Sequence, residues 1–273
     1  MFQRELQVAV RAACAAGEVI LEHYARGPIA VETKSDDTPV TAADREANDA
    51  IVKVLRAEFP DDYLLSEELP DATERLTRSR VWIVDPLDGT RDFVQRTDDF
   101  AVHVGLAVDG KAVVGAVLVP VADLLYSASV GGGAWRTEDV LKEARGGTRV
   151  HVSTRTSLDE LRVGVSRLAP HPSLSPFFAA TGLAPRVVRM GASVKFMAIA
   201  EGRLDAVINA STSEHEWDTC APEVILREAG GVMTDRDGAP FVYNQPRLDH
   251  PRGSVATNGM CHEELLQLIR ERL

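Results

Sequence analysis

The N-terminal stretch of the chain has the hydrophobic spacing of an amphipathic helix. Apolar or small residues recur every three to four positions: Leu6, Val10, Ala13, Gly17, Ile20 and Tyr24. This spacing places them on one face of a helix. No basic segment leads into an apolar run, as a signal peptide would require. We therefore expect a packed helix in a protein of the cytoplasm.

Further elements follow from the same kind of pattern. A second helix is predicted over residues 41–59, because apolar residues again recur at helical spacing and a proline-containing turn follows. Short strands are predicted at 63–65 and 81–84. Residues 100–135 read as successive strands with a hairpin signal at 109–110, which predicts an antiparallel meander.

The second half of the chain alternates between strand and helix patterns. The polar, glycine-containing residues 138–148 are the predicted boundary between an N-terminal part, 1–148, and a C-terminal part, 149–273. The elements predicted after it are strands at 162–166, 186–190 and 204–210, helices at 173–181, 193–201, 219–229 and 262–272, and a hairpin at 237–238.

Composition narrows the class of protein. With 273 residues, 45% hydrophobic and 26% charged, the chain resembles an ordinary globular protein, and it has no apolar run of the ~20 residues that would span a membrane. A net charge of -11 argues against a nucleic-acid partner, since such proteins need a basic surface. The three cysteines are too few and too scattered for a disulfide framework or a zinc site, which fits a reducing compartment.

Two acids stand where an apolar strand ends. Asp85 and Asp88 surround Pro86 and Leu87 and precede Gly89. Taken alone, this segment is a turn, because Asp, Pro and Gly are turn residues. A strand end that leads into a helix N-terminus is also a common ligand position, so both carboxylates and the Leu87 carbonyl are candidate metal ligands.

Three further acids occupy comparable positions. Glu67 follows a predicted strand, where a solvated loop is the alternative; Asp44 completes a capping box with Thr41; and Asp218 could simply cap a helix. An all-oxygen set of this kind selects a hard cation such as Mg²⁺, which binds jointly to substrate phosphates. The sequence has no histidine motif for zinc, no P-loop and no nucleophile elbow.

Four motifs together resemble the inositol monophosphatase superfamily of Mg²⁺-dependent, often lithium-sensitive phosphatases. They are PVTAADREAND, LLSEE, WIVDPLDGTRDF and WDTCAPEVILREAGG. The resemblance extends from the first helix to the last and implies a layered α-β-α-β-α sandwich. In it, the N-terminal α+β part carries most metal ligands and the C-terminal α/β part completes the active site. The segments TPVTAAD, DPLDGTRDF and WDTCAPE are most similar to the 3′(2′),5′-bisphosphate nucleotidase (CysQ) branch.

The resemblance also implies roles for individual residues. The implied ligands of two or three Mg²⁺ ions are Glu67, Asp85, Asp88, Asp218 and the Leu87 carbonyl. The implied catalytic residues are Asp44, Glu67 and Thr90, of which Asp44 and Thr90 help orient and deprotonate the attacking water. The implied substrate contacts are Gly89, Thr90, Ser166, Gly191, Ser193 and Lys195.

Several positions depart from the family pattern or have a plain structural alternative. Ser166 begins a segment similar to the nucleotidase Ser-Arg-Ser-His motif, but residues 168–170 intervene before His171, whose role stays open. Ser211 stands where inositol phosphatases commonly carry an acid, which disfavours inositol unless Glu214 or Glu216 substitutes.

Two more side chains keep structural alternatives. Lys195 could be a surface lysine whose stem lies along a helix, and Cys220 could be a small buried residue instead of a reactive thiol.

We expect the chain to remove the 3′-phosphate of adenosine 3′,5′-bisphosphate, giving AMP and phosphate. The alternative within the same chemistry is an inositol or sugar-phosphate monoesterase. A flat apolar slot beside Lys195 would favour a purine, and a second ring of acids would favour a polyol.

An alternative of another class is a non-catalytic phosphate-ligand-binding protein, which predicts the loss of a ligand or of the Asp44 and Thr90 pair. All of these are present. The sequence leaves monomer and homodimer open.

Overall fold

A computed structural model describes most of the chain. It covers residues 1–27, 30–33, 39–142, 146–168, 170–191 and 193–273. Parts of four sequence features lie outside these ranges: Thr38 of TPVTAAD, residues 143–145 of the predicted boundary, Ala169 before His171, and Ala192 beside Ser193.

Two long helices form the first layer. Helix α1 spans Gln3–Ala25 and helix α2 spans Ala42–Glu58, and they pack against each other and against one face of a sheet. Both helices were predicted, and both are confirmed. Between them, β1 (Glu32–Thr33) and β2 (Pro39–Val40) form a short antiparallel pair.

A seven-stranded sheet forms the second layer. Its strands, in chain order and also in spatial order, are β3 (Tyr63–Ser66), β4 (Arg80–Asp88), β5 (Ala101–Val108), β6 (Lys111–Val119), β7 (Leu124–Ser129), β8 (Ala134–Glu138) and β9 (Thr148–Arg149). Strands β3 and β4 are parallel, and the later neighbours are antiparallel, which confirms the predicted meander. A 3₁₀ helix (Thr73–Thr77) precedes β4 and the short helix α3 (Thr90–Gln95) follows it.

Strand β4 is longer than predicted. The segment that begins at Asp85 was interpreted as a turn, but the strand continues to Asp88, with an irregularity in its pairing to β5 between these two acids. Pro86 lies within the irregularity, where its missing N–H removes no ladder hydrogen bond. The extension keeps both acids on a rigid element.

A five-stranded sheet and four helices complete the fold. The strands are β10 (Val163–Ser166), β11 (Val187–Met190), β12 (Ala206–Asn209), β13 (Val232–Thr234) and β14 (Ser254–Thr257), in the spatial order β11-β10-β12-β14-β13. The helices are α4 (Leu174–Thr181), α5 (Val194–Ala200), α6 (Glu216–Glu228) and α7 (His262–Arg272). Two 3₁₀ turns lie at Leu158–Glu160 and Ala184–Arg186.

The hairpin predicted at residues 237–238 is wrong. Gly238 does form a turn, with φ +90°, but the antiparallel partner of β13 is β14, which starts at Ser254. Prolines at positions 240, 246 and 251 lie in the intervening segment. Because proline cannot donate to a strand ladder, this segment is a loop.

The elements stack in five layers, which confirms the α-β-α-β-α sandwich. Helices α1 and α2 lie outside the seven-stranded sheet, α5 and α6 lie between the two sheets, and α4 and α7 cover the other face of the five-stranded sheet. Within the described ranges, no helix combines the length and the apolar character needed to cross a bilayer.

Helix α6 packs on glycines of the seven-stranded sheet. Gly105 on β5 and Gly115 on β6 are directly paired across the strands. A Cβ on Gly105 would lie 2.7 Å from Cys220 Sγ, and one on Gly115 would lie 2.4 Å from the Ala221 carbonyl oxygen. The thiol of Cys220 is fully buried in this contact and burial raises its pKa well above the ordinary value, which favours the packing interpretation of this cysteine.

We predict that Gly115→Ala destabilises the protein by about 1–3 kcal/mol, because the added methyl group meets helix backbone and forces α6 away from the sheet. Urea denaturation measures the change. Gly146→Ala is the matched control, since nothing lies within 4 Å of the added Cβ. Equal midpoints for the two variants would contradict the close-packing account.

Candidate active site

Three carboxylates from distant parts of the chain meet between the layers. Asp85 and Asp88 lie in the last part of β4, and Asp218 lies in the first turn of α6. Each offers an oxygen, and the three oxygens lie within 4.8 Å of one another. Such a set fits a hard divalent cation, because several negative oxygens so close together repel one another unless a positive charge lies between them.

Asp85 is the most buried of the three acids. It is 1% exposed, and its Oδ1 accepts a hydrogen bond from the Leu87 N–H at 2.9 Å. Burial raises its pKa well above the ordinary value, and the charges of Glu67, Asp88 and Asp218 raise it further. Asp85 therefore takes up a proton at a higher pH than an ordinary aspartate, and a cation would compete with that proton.

The backbone of α6 fixes Asp218. The helix begins at Glu216, so Asp218 is not the N-cap that the sequence suggested; it is the third helical residue, and its Oδ2 accepts the His215 N–H at 2.7 Å. Pro222 lies inside the helix and has no N–H for the Asp218 carbonyl. Ser193 Oγ, 3.4 Å away, donates to that carbonyl instead. Burial, and then the charge of Asp88, raises the pKa of Asp218 well above its usual range.

Asp88 joins the two halves of the site. Its Oδ2 accepts the backbone N–H of Ser193 at 2.6 Å, so the end of β4 is hydrogen-bonded to the residue that precedes α5. Ser193 thus contacts both Asp88 and Asp218, which places it among the acids as well as beside the substrate space.

Glu67 lies near the three acids but outside their tight group. It follows β3, and its N–H donates to the Val84 carbonyl on β4 at 3.3 Å. Its negative charge raises the pKa of both Asp85 and Asp218. Glu67 lines the same cleft as Asp85, so it can supply a further oxygen ligand.

Asp44 has the predicted capping role and a second contact. Thr41 donates from its N–H and its hydroxyl to Asp44 Oδ2, at 2.8 and 2.6 Å, which confirms the capping box. Thr90 Oγ1 lies 3.0 Å from Asp44 Oδ1 and 3.3 Å from the Leu87 carbonyl oxygen. Burial raises the pKa of Asp44. Gly89, with φ +90°, adopts the left-handed conformation that turns the chain from β4 into α3.

Two cavities meet at the carboxylates. The larger is an open cleft of about 850 Å³, and its lining includes Glu67, Asp85, Leu87, Gly89 and Thr90. The smaller is a pocket of about 230 Å³ on the side of the C-terminal part. Residues that line both cavities are Asp88, Ser166, Lys195, Ser213 and Asp218. Lys195 therefore reaches the space next to the acids, as its sequence position suggested.

The wall of the smaller pocket is mixed in character. Leu174 and Ile208 contribute apolar surface, whereas Ser193, Ser211 and Glu214 contribute polar atoms. Neither a purely apolar slot nor a ring of acids describes it. His171 also lines this pocket, so the insertion before it does not remove the ring from the site.

Gly191 is not among the described residues that line the two cavities. Its N–H donates to Asp99 Oδ2 at 3.0 Å, and an added Cβ would lie 2.5 Å from Asp99 Cβ and 2.6 Å from Asp92 Oδ1. Close packing explains the glycine here, and its predicted contact with substrate stays a prediction.

Two residues of the site were either not predicted from the sequence or predicted only as an alternative. Glu214 is 5% exposed, accepts the Asn209 amide at 2.9 Å and has its pKa raised by burial. His103 is fully buried and its Nε2 lies 3.4 Å from Asp88 Oδ2. The available signal for His103 was a lone polar residue in the apolar strand AVHVGLAV.

Comparison with known proteins relates the chain to phosphatases. The model of the inositol monophosphatase family matches residues 2–273. The 3′(2′),5′-bisphosphate nucleotidase CysQ of Escherichia coli strain K12 is 35% identical over 230 residues, which are 84% of this chain and 89% of that protein. The histidinol-phosphatase of Mycobacterium tuberculosis strain H37Rv is 32% identical over 269 residues, 97% of this chain and 98% of that protein.

Solved structures share the fold along nearly the whole chain. The extragenic suppressor protein SuhB from Bartonella henselae has a TM-score of 0.82 at 26% identity, with 99% of this chain and 100% of that chain covered. CysQ from Bacteroides thetaiotaomicron, described as a bacterial member of the inositol monophosphatase family, has a TM-score of 0.78 at 31% identity, with 94% and 97% covered.

We predict that Mg²⁺ stabilises the protein more at about pH 8 than at about pH 5. The pKa values of Asp85 and Asp218 are raised in the metal-free folded state. Protonation therefore favours that state at low pH, and its stability falls as the pH rises through the raised values. Mg²⁺ meets less competition from protons at the higher pH.

Thermal unfolding with and without Mg²⁺ measures the effect. At a Mg²⁺ concentration a hundredfold above Kd, binding adds about 2.7 kcal/mol to the free energy of unfolding. For a chain of this size, each kcal/mol raises Tm by about 2–4 °C. NaCl at equal ionic strength is the control. Equal shifts in Tm at the two pH values would contradict the prediction.

Proposed function

The chain belongs to the inositol monophosphatase family, and on that basis we propose that it is a Mg²⁺-dependent phosphomonoesterase acting on adenosine 3′,5′-bisphosphate. The reaction removes the 3′-phosphate and gives AMP and phosphate. The three cysteines are unpaired, which suits a reducing compartment, and we place the reaction in the cytoplasm.

The observation that carries the proposal is the meeting of Asp85, Asp88 and Asp218 beside the Asp44 and Thr90 pair. A phosphate monoester resists hydrolysis because its negative oxygens repel the nucleophile. When bound, Mg²⁺ neutralises those oxygens, makes water more acidic and stabilises the leaving alkoxide. Glu67 and the Leu87 carbonyl complete the proposed set of ligands.

The remaining chemistry depends on Thr90, which lines the cleft, and on its hydrogen-bond partner Asp44. The Thr90 hydroxyl donates to Asp44 Oδ1, so the lone pairs of its oxygen can accept a hydrogen bond from the attacking water. As the water loses its proton to Thr90 Oγ1, the hydroxyl proton of Thr90 passes to Asp44 Oδ1. The raised pKa of Asp44 suits it to receive that proton. The N–H groups of Gly89 and Thr90 would contact the phosphate.

The nucleotide side of the proposal rests on the smaller pocket and on the CysQ relatives. Lys195 and Ser166 line both cavities, so a second phosphate beside the first would find a positive charge there. Leu174 and Ile208 offer apolar surface to a base. The identity of 35% to Escherichia coli CysQ supports this choice of substrate.

A second candidate function is hydrolysis of a polyol, sugar or amino-alcohol phosphate. The observation that favours it is the buried Glu214 in the wall of the smaller pocket. A carboxylate there accepts hydrogen bonds from hydroxyl or ammonium groups and repels a second phosphate. The similarity to histidinol-phosphatase from Mycobacterium tuberculosis supports the same alternative.

We predict that phosphate release from adenosine 3′,5′-bisphosphate exceeds release from inositol 1-phosphate and from histidinol phosphate, and that EDTA abolishes it. Parallel assays with Mg²⁺ and with EDTA measure this. In the Glu214→Gln variant, the second candidate predicts a loss of about tenfold or more in kcat/KM for its hydroxyl- or ammonium-bearing ester. If the wild type prefers one of those esters, that ester replaces the nucleotide as the proposed substrate. If no phosphate is released from any of the three esters, a non-catalytic phosphate-binding protein is favoured.

We predict that Asp88→Asn lowers kcat by about 10³-fold or more while the fold is kept, because the change removes one charge from the proposed ligand set at constant shape. Circular dichroism and Tm verify the fold. Asp235→Asn is the matched control: it makes the same change of side chain at an aspartate that is 5% exposed, but Asp235 pairs with Arg252 in the turn after β13. Near-normal turnover of Asp88→Asn would refute the ligand assignment.

A further inference from the structure

His103 is an unusual residue for its strand. It is the one polar side chain in β5, AVHVGLAV, and it lies opposite Asp85 in the pairing with β4. The neighbouring positions on the same face, Ala101 and Gly105, are small, and Gly105 touches α6. The imidazole is therefore enclosed beneath the first turn of α6, where an apolar side chain would cost less to bury.

The two ring nitrogens of His103 face the two halves of the carboxylate site. Nδ1 lies 3.2 Å from the carbonyl oxygen of Trp217, the residue before Asp218. A carbonyl can only accept, so Nδ1 carries the hydrogen and donates it. Nε2 then carries the lone pair; it lies 3.4 Å from Asp88 Oδ2, which is also an acceptor, and it has no hydrogen-bond partner in the described part of the chain.

Ser193 contacts the same two segments from another element. Its N–H donates to Asp88 Oδ2, and its hydroxyl donates to the carbonyl of Asp218. His103 and Ser193 therefore donate to consecutive carbonyls in the first turn of α6, those of Trp217 and Asp218, and Ser193 also donates to Asp88. This turn carries Asp218, whose charge and that of Asp88 repel each other.

We propose that His103 is a positioning residue: by donating from β5 to the Trp217 carbonyl, it holds the first turn of α6, and with it Asp218, in place beside Asp88. The inference rests on the proposed function, because it takes these two acids as metal ligands. Without the ring, the first turn of α6 would lose this hydrogen bond to β5, and the repulsion between Asp88 and Asp218 would displace Asp218. Groups that orient metal ligands in this way typically contribute 10–100-fold to metal affinity.

The test compares Mn²⁺ binding, followed by electron paramagnetic resonance, in the wild type, His103→Ala and His103→Gln. We expect His103→Ala to bind Mn²⁺ about tenfold or more weakly. His103→Gln should lie between the two, because its amide can still donate to the Trp217 carbonyl. At saturating Mg²⁺, the KM for the phosphate ester should stay within about twofold of the wild type, since the ring does not line the substrate pocket.

His262→Ala is the matched control for general loosening. His262 is also a buried histidine, but both of its ring nitrogens pair with threonines, Thr234 and Thr257, each at 3.0 Å. We expect His262→Ala to lower Tm while Mn²⁺ affinity is kept. If both alanine variants lose the same affinity, or if His103→Ala binds as the wild type does, the positioning role is wrong. If the wild type binds no Mn²⁺, the metal site of the proposed function fails and this inference falls with it.

Discussion

The close approach of α6 to the seven-stranded sheet is the constraint on which the site depends. Gly105 and Gly115 are paired neighbours on the sheet, and the backbone of α6 lies directly on them. This contact brings Asp218, in the first turn of the helix, within reach of the acids at the end of β4. A larger side chain at either glycine would displace the helix and separate the carboxylates. The same contact therefore determines both the packing of the core and the geometry of the acids.

The site gathers like charges that the fold alone does not neutralise. Burial and mutual repulsion raise the pKa values of Asp85 and Asp218. Backbone N–H groups oppose this, since Leu87 donates to Asp85 and His215 donates to Asp218. These bonds hold the side chains in place without cancelling the repulsion. A divalent cation supplies the missing positive charge, so the metal and the folded state should stabilise each other.

The two cavities are lined by groups with different proposed roles. Thr90, which is hydrogen-bonded to Asp44, lines the wide cleft, and Glu214 lines the smaller pocket with other groups that would discriminate among leaving groups. Relatives of similar identity, 35% and 32%, have names that refer to different phosphate esters. A fold of this kind keeps one reaction while the pocket wall changes.

The sequence by itself determined the elements whose signals are local. Helical spacing and the capping box of Thr41 and Asp44 specified α1 and α2, and acids at element ends indicated the metal chemistry. Tertiary structure decided the rest. The partner of β13 is a strand twenty residues away, β4 continues to Asp88 because β5 pairs with it, and His103 gained its importance from contacts with α6. Periodicity and caps depend on residues a few positions apart, whereas strand pairing and the meeting of charges depend on segments that only the folded chain brings together.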